Sequence, residues 1–331
     1  MNKVIHFDQN TTQLREVTAP KYASLFSKVL LKFPEVISTS LPPERELYFP
    51  NQTTLRDNCR PVRYIGEDIV PPVLSMTALG GSGRSAFESI IRDSSPTTNG
   101  RHNRSFTILS MPGHDGTWTG LTRVTANNTI NSLLSERNIL VQQTGMAPVG
   151  LFASFAASFA LIADQLWQRQ TGAEPLFSKL IIISPPFHLK SPLHRFMTGI
   201  VLKDYLRSPD DPAWNKYAIK LNDSGSSEPG NVHYTYVPLK AYLECASVYR
   251  SAREYFEQTK LNITMVFGDN DCWLSHRRFE MVVKAESNTK DSKHPNPNLE
   301  LIYLEGGTHN LMFNQMPGGE RRNAGILTKL L

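Results

Sequence analysis

Cysteine is scarce: Cys59, Cys245 and Cys272 are the only three in 331 residues, far apart and without a C-x-x-C spacing. That excludes a disulfide framework and a cysteine zinc site, and makes a reducing compartment the expected home. Long apolar runs are missing as well. No stretch approaches the roughly eighteen uncharged apolar residues a membrane helix requires, and "MNKVIHFDQNTTQ" has no apolar core of a secretory signal. The expectation is a cytoplasmic, soluble protein without a membrane span, in which triplets such as Asn103 to Ser105 match a glycosylation signal by chance. Runs of one charge are also absent. The formal charge is +5, but the basic residues are scattered and not interleaved with aromatics, so a solvated surface is expected and no nucleic-acid partner. The only candidate for a cofactor motif, "GGSGRS" from Gly80 to Ser85, has the spacing of neither a dinucleotide fingerprint nor a P-loop. No cofactor and no metal are expected.

What is present is alternation. Short apolar segments, "PPVLSM" (Pro71 to Met76), "SFTILSM" (Ser105 to Met111), "VGLFA" (Val149 to Ala153), "KLIIIS" (Lys179 to Ser184), "NITMVFG" (Asn262 to Gly268) and "LELIYLEG" (Leu299 to Gly306), are separated by helical patterns such as Asn127 to Glu136 and Ser154 to Gln170. Strands buried on both faces, alternating with helices, imply an α/β fold with a doubly wound, mostly parallel sheet. The rhythm breaks after Ser184, where about eighty residues intervene before the next strand, too many for one crossover. Within them "HRFMTGIVLKDYL" and "PLKAYLECASVYRSAREYFEQ" have helical periodicity. Residues 187–258 are therefore expected to form a helical cap over a core built from 1–186 and 259–331. Residues 1–60 are expected to supply a leading helix and the first antiparallel strands.

Three segments, "LFASFAAS", "FGDNDCW" and "LEGGTHNLMF", carry a resemblance to the α/β-hydrolases. "LFASFAAS" stands where that family has its nucleophile elbow, small-x-Ser-x-small. "FGDNDCW" resembles the acid turn, G-x-x-D, and "LEGGTHNLMF" the glycine-rich loop that carries the histidine. The resemblance implies a catalytic triad of Ser154, Asp271 and His309 in the family's chain order, within an α/β-hydrolase fold carrying an inserted helical cap. "VLSMTALGGSGRSAF" is similar to the oxyanion loop, with Thr77 and Ala78 in place of the usual His-Gly, and "ILSMPGHDGT" to the turn after the fourth strand. The helix from Ser154 followed by "KLIIISPP" is also similar to type II thioesterases. The backbone N–H groups of Leu79 and Phe155 would then form the oxyanion hole. A serine hydroxyl is a weak nucleophile at neutral pH, and needs an imidazole to take its proton and a carboxylate to orient that imidazole.

Phe152 stands where the elbow normally has a small residue and needs room from its neighbours. A register at Ser158 has small flanks at Ala156 and Ala160, but leaves a strand of awkward length and a helix that ends too soon at Gly172, so Ser154 is preferred. Asp271 is preferred over Asp269, a turn residue that can bond its own backbone. His114 and Asp115 lie in a Pro-Gly turn first, and Cys272 has nothing beside it in sequence to lower its pKa. Phe152, Trp118, Trp273 and Tyr242, with the cap aromatics Phe196, Tyr205 and Tyr249, are candidates to line an acyl pocket. The expected activity is hydrolysis of an ester or thioester through an acyl-enzyme, on a small-molecule acyl substrate that could be carrier-bound. Two alternatives remain open on this fold: an acyltransferase or cyclase with a non-water acceptor, and a catalytically silent ligand-binding protein.

Overall fold

The computed structural model describes residues 4–8, 13–17, 36–38, 61–67, 70–76, 79, 84–94, 97–98, 101–114, 117–172, 174–187, 189–220, 236–268, 271, 274–275, 298–305, 307 and 320–331. Among the described residues seven strands form the main sheet: β1 (Val62–Tyr64), β2 (Val73–Met76), β3 (Phe106–Leu109), β4 (Val149–Ala153), β5 (Lys179–Ile183), β6 (Ile263–Gly268) and β7 (Leu299–Leu304). Their order is β7-β6-β5-β4-β2-β3-β1, with only β1 antiparallel to its neighbour. The swap of β2 and β3 follows from the helical crossovers, which let a parallel strand return on either side of its predecessor.

Both faces of this sheet are covered, which is why its inner strands read as continuous apolar runs. In β4, Val149, Leu151 and Ala153 face one apolar cluster and Phe152 the other; in β5, Ile181 and Ile183 alternate with Leu180 and Ile182. On the first face lie α1 (Arg84–Asp93) and α7 (Glu320–Leu330), through Phe87, Ile90, Ile91 and Leu327. The second face holds α2 (Ala126–Thr144) and α3 (Phe155–Thr171), through Leu133, Leu140, Phe159 and Leu161. Both of these helices end at a left-handed glycine, Gly145 (φ 71) and Gly172 (φ 59), where a side chain would be strained.

The insertion after β5 is mixed in character. It opens with α4, a single rod made of Pro192–Phe196, a π-helical turn at Met197–Val201 and Leu202–Arg207. A 3-10 turn, Pro212–Lys216, leads into the strands Tyr217–Lys220 and Tyr236–Pro238, which are followed by α5 (Leu239–Ser247) and α6 (Tyr249–Phe256). The two strands pair with each other and, through Tyr217–Lys220, with Val36–Ser38. The insertion thus carries a small antiparallel sheet besides its helices, and among the described residues none of its strands joins the main sheet. The described strands of residues 1–60 are antiparallel, as expected of leading strands, and lie outside the main sheet. Val4–Asp8 and Gln13–Val17 form a separate hairpin and Val36–Ser38 joins the insertion, so the antiparallel edge of the main sheet is β1. The leading helix expected there lies outside the described residues. Among the described residues no helix is long and apolar enough to cross a membrane.

Helix α6 packs on α3, so it belongs to the layer flanking the sheet. Its anchor is Asp164, fully buried on α3. Asp164 Oδ1 accepts from the Leu176 N–H at 2.6 Å, and Oδ2 accepts from Gln168 Nε2 at 2.9 Å and from the Tyr255 hydroxyl at 2.5 Å. Burial nonetheless outweighs these donors and raises the Asp164 carboxyl above the usual carboxylate range. The native state therefore holds this proton more tightly than the unfolded chain. The resulting stability is complete below the unfolded pKa, about 4, and is lost as pH rises through the raised folded value. The stability of the parent relative to Asp164→Asn, which does not titrate, is expected to decline from about pH 4 upward. Urea midpoints across that range check this; a difference that stays flat or grows with pH would contradict it.

Candidate active site

The strand β4 ends at Ala153 and α3 begins at Phe155, leaving one residue for the turn. That residue, Ser154, has φ 51 and ψ −130. A non-glycine residue there is strained by about 1–3 kcal/mol and persists only where its surroundings over-determine it. Two bonds do so: the Ser154 N–H donates to the Ile183 carbonyl at 2.8 Å, and the Ala157 N–H donates to the Ser154 carbonyl at 3.1 Å. The side chain makes no capping bond to its helix. Ser158 lies one turn into α3, completely buried, with its hydroxyl unbonded. The sharp turn is thus at Ser154.

Phe152 finds its room two residues upstream. A Cβ on Gly150 would lie 2.8 Å from the Phe152 ring, 2.7 Å from Leu180 and 3.0 Å from Phe177. The phenyl ring therefore lies over the glycine, edge-on to Phe177 with centroids 5.5 Å apart. It is wholly buried. Ala156, Ala157 and Ala160 supply the close helix-to-sheet packing beyond the turn.

Asp271 follows β6 and is 1% exposed. Its N–H donates to the Gly268 carbonyl at 3.2 Å, and its Oδ1 accepts from the Leu274 N–H at 3.0 Å. The turn is clasped from outside: Lys190 Nζ donates to the Asp271 carbonyl, and Leu189 pairs antiparallel with Leu274. Gly268 touches the next loop so closely that an added Cβ would lie 2.1 Å from the Gly307 carbonyl oxygen. The turn that leads to Asp271 and the start of the loop after β7 are therefore in contact. His309, Asp269, Cys272, Trp273, Thr77, Ala78 and Asp115 lie outside the described residues.

Leu79, three residues past β2, is buried, and β2 pairs with β4 through Met76 and Phe152. Phe155 is buried against Tyr242, edge-on at 5.5 Å. The fully buried Tyr242 hydroxyl lies 2.7 Å from His194 Nδ1, and burial raises its pKa. Thus α5 of the insertion reaches the residue directly after Ser154, and α4 backs Tyr242 through His194. A second, partly buried link was invisible in sequence. Glu244 Oε2 accepts from the Ala126 N–H at 2.8 Å, at the start of α2, while Oε1 accepts from the Tyr205 hydroxyl. Trp214 packs edge-on against Tyr205. Trp118, Phe152 and Tyr242 all lie within one buried cluster, with Phe196 and Tyr249 half-buried at its margin. His114, in its Pro-Gly turn, is also buried, its N–H donating to the Met111 carbonyl at 2.8 Å. Burial pushes the Cys245 thiol up, which makes it an inert core residue. Among the described residues no group of His, Cys, Asp and Glu could hold a metal ion.

No family model and no curated protein matches this chain. Solved structures do. A metagenome-derived lipolytic enzyme, described under LipS and LipT, shares 15% identity at a TM-score of 0.58, covering 82% of this chain and 98% of its own. A monoglyceride lipase from Saccharomyces cerevisiae shares 11% at 0.57, covering 82% and 90%. A monoacylglycerol lipase from Paleococcus ferrophilus shares 13% at 0.55, covering 82% and 98%. The chain has the fold of the α/β-hydrolases, with an insertion after β5.

Proposed function

We propose that the protein is an ester hydrolase working through an acyl-enzyme on Ser154. The strained turn at Ser154, which costs stability where a glycine would not, is the observation that supports it most. In this reading His309 takes the hydroxyl proton as Ser154 Oγ attacks the ester carbonyl, and Asp271 holds the imidazole in its productive tautomer. The N–H groups of Phe155 and Leu79 carry the oxyanion. Collapse of the tetrahedral species expels the alcohol, which receives the proton from His309. Water, deprotonated by the same imidazole, then releases the acid and restores the serine.

The similar folds named above belong to lipolytic enzymes, which favours a carboxylic ester with an apolar acyl chain over a thioester. The α5 face that lays Tyr242 against Phe155, backed by His194 of α4, is the part that would select that chain. Purified protein mixed with p-nitrophenyl esters of short, medium and long acyl chains is expected to release a burst of about one phenolate per active site before the slower steady state. Release no faster than in buffer for every ester would overturn the proposal.

A further inference from the structure

Among the described residues two non-glycines have positive φ, Ser154 and Ser184 (φ 46). They are neighbours in space. Ala153 and Ile183 are register partners on β4 and β5, so the two serines are the first residues past the sheet on adjacent strands. Ser184 is also tied on both sides. The carbonyl before it, on Ile183, accepts the Ser154 N–H, while its own N–H donates to the Val266 carbonyl of β6 at 2.9 Å. From this corner the chain turns into the segment that clasps the acid turn, through the Leu189–Leu274 bridge and the Lys190 ammonium on the Asp271 carbonyl. One corner thus connects the serine turn to the carboxylate turn.

Ser184 is costly at that corner twice over. Glycine would adopt positive φ without strain, and alanine or glycine would spare the burial of a hydroxyl. The Ser184 side chain is 1% exposed and its Oγ makes no hydrogen bond. A buried polar group left unbonded normally loses stability, and such departures concentrate where they are used. We propose that Ser184 is a positioning residue acting through Asp271: its corner holds the two turns at one spacing, and its hydroxyl hydrogen-bonds on the Asp271 side once substrate occupies the site. This rests on the hydrolase reading above.

The test compares the parent with Ser184→Ala by steady-state kinetics on a p-nitrophenyl ester, thermal unfolding and fluorophosphonate labelling. The expected result is a kcat about tenfold lower with KM within about twofold, and a Tm no lower than the parent's, because the alanine removes an unbonded buried hydroxyl. Ser184→Gly, which also relaxes the corner, is expected to lose at least as much kcat. A Ser184→Ala protein with the parent's kcat overturns the inference, and so does a parallel fall in kcat and Tm, which would mark a merely structural role. Failure of the hydrolase reading is told apart by the parent itself: without labelling at Ser154 that reading falls and takes this inference with it, whatever the variant does.

Discussion

Asp271→Asn is expected to lower kcat by about four orders of magnitude, the loss seen when a triad carboxylate becomes an amide and the imidazole settles in the wrong tautomer. The substitution is chosen because it preserves shape. The asparagine carbonyl oxygen can still accept the Leu274 N–H that now reaches Oδ1 at 3.0 Å, and neither the Gly268 turn bond nor the Lys190 bond involves the side chain. The fold should survive while the charge is lost. In energy the loss amounts to about 5–6 kcal/mol of transition-state stabilisation, far more than a surface carboxylate could supply. Kinetics on a p-nitrophenyl ester, with the unfolding midpoint measured alongside, check it. A fall of tenfold or less, with the fold intact, would remove Asp271 from the triad and return the role to Asp269.

How far the sequence disclosed this arrangement depended on whether the determinants were local. The strand Val149–Ala153 was legible because both its faces are buried, and the helix after it because its first turns are alanine-rich. With those two elements bounded, Ser154 was the one residue left for the turn. The apparent misfit at Phe152 was not legible, because its remedy lies at Gly150, outside the elbow pattern, and depends on the packing of Phe177 and Leu180 from other parts of the chain. The pairing of Tyr217–Lys220 with Val36–Ser38 joins segments far apart in sequence, so periodicity within either one says nothing of it. Asp164 falls inside the helical pattern Ser154 to Gln170 with nothing local to mark it, and its contact with Tyr255 of α6 makes it a buried anchor. Ser184 is the extreme case. Serine has no preference for positive φ, and its strain arises wholly from the strands on either side and the segment that clasps Asp271.

The largest effect is expected at Ser154, where alanine removes the attacking oxygen itself. Hydrolysis should fall to whatever the oxyanion donors and binding supply alone, roughly a millionfold below the parent. Alanine is scarcely less strained than serine at φ 51, so stability should change little and the loss cannot be assigned to unfolding. Ser158→Ala is the matched control. It removes a fully buried, unbonded hydroxyl one turn further along α3, and activity should stay near the parent's.

The central claim is that the strained residue between β4 and α3 is a nucleophile, and covalent capture tests it most directly. Parent, Ser154→Ala and Ser158→Ala proteins are treated with a fluorophosphonate, digested, and the modified residue identified by mass spectrometry. The account predicts a single adduct on Ser154 in the parent and in Ser158→Ala, and none in Ser154→Ala. An adduct of equal extent in Ser154→Ala, or no adduct in a folded parent, would contradict it.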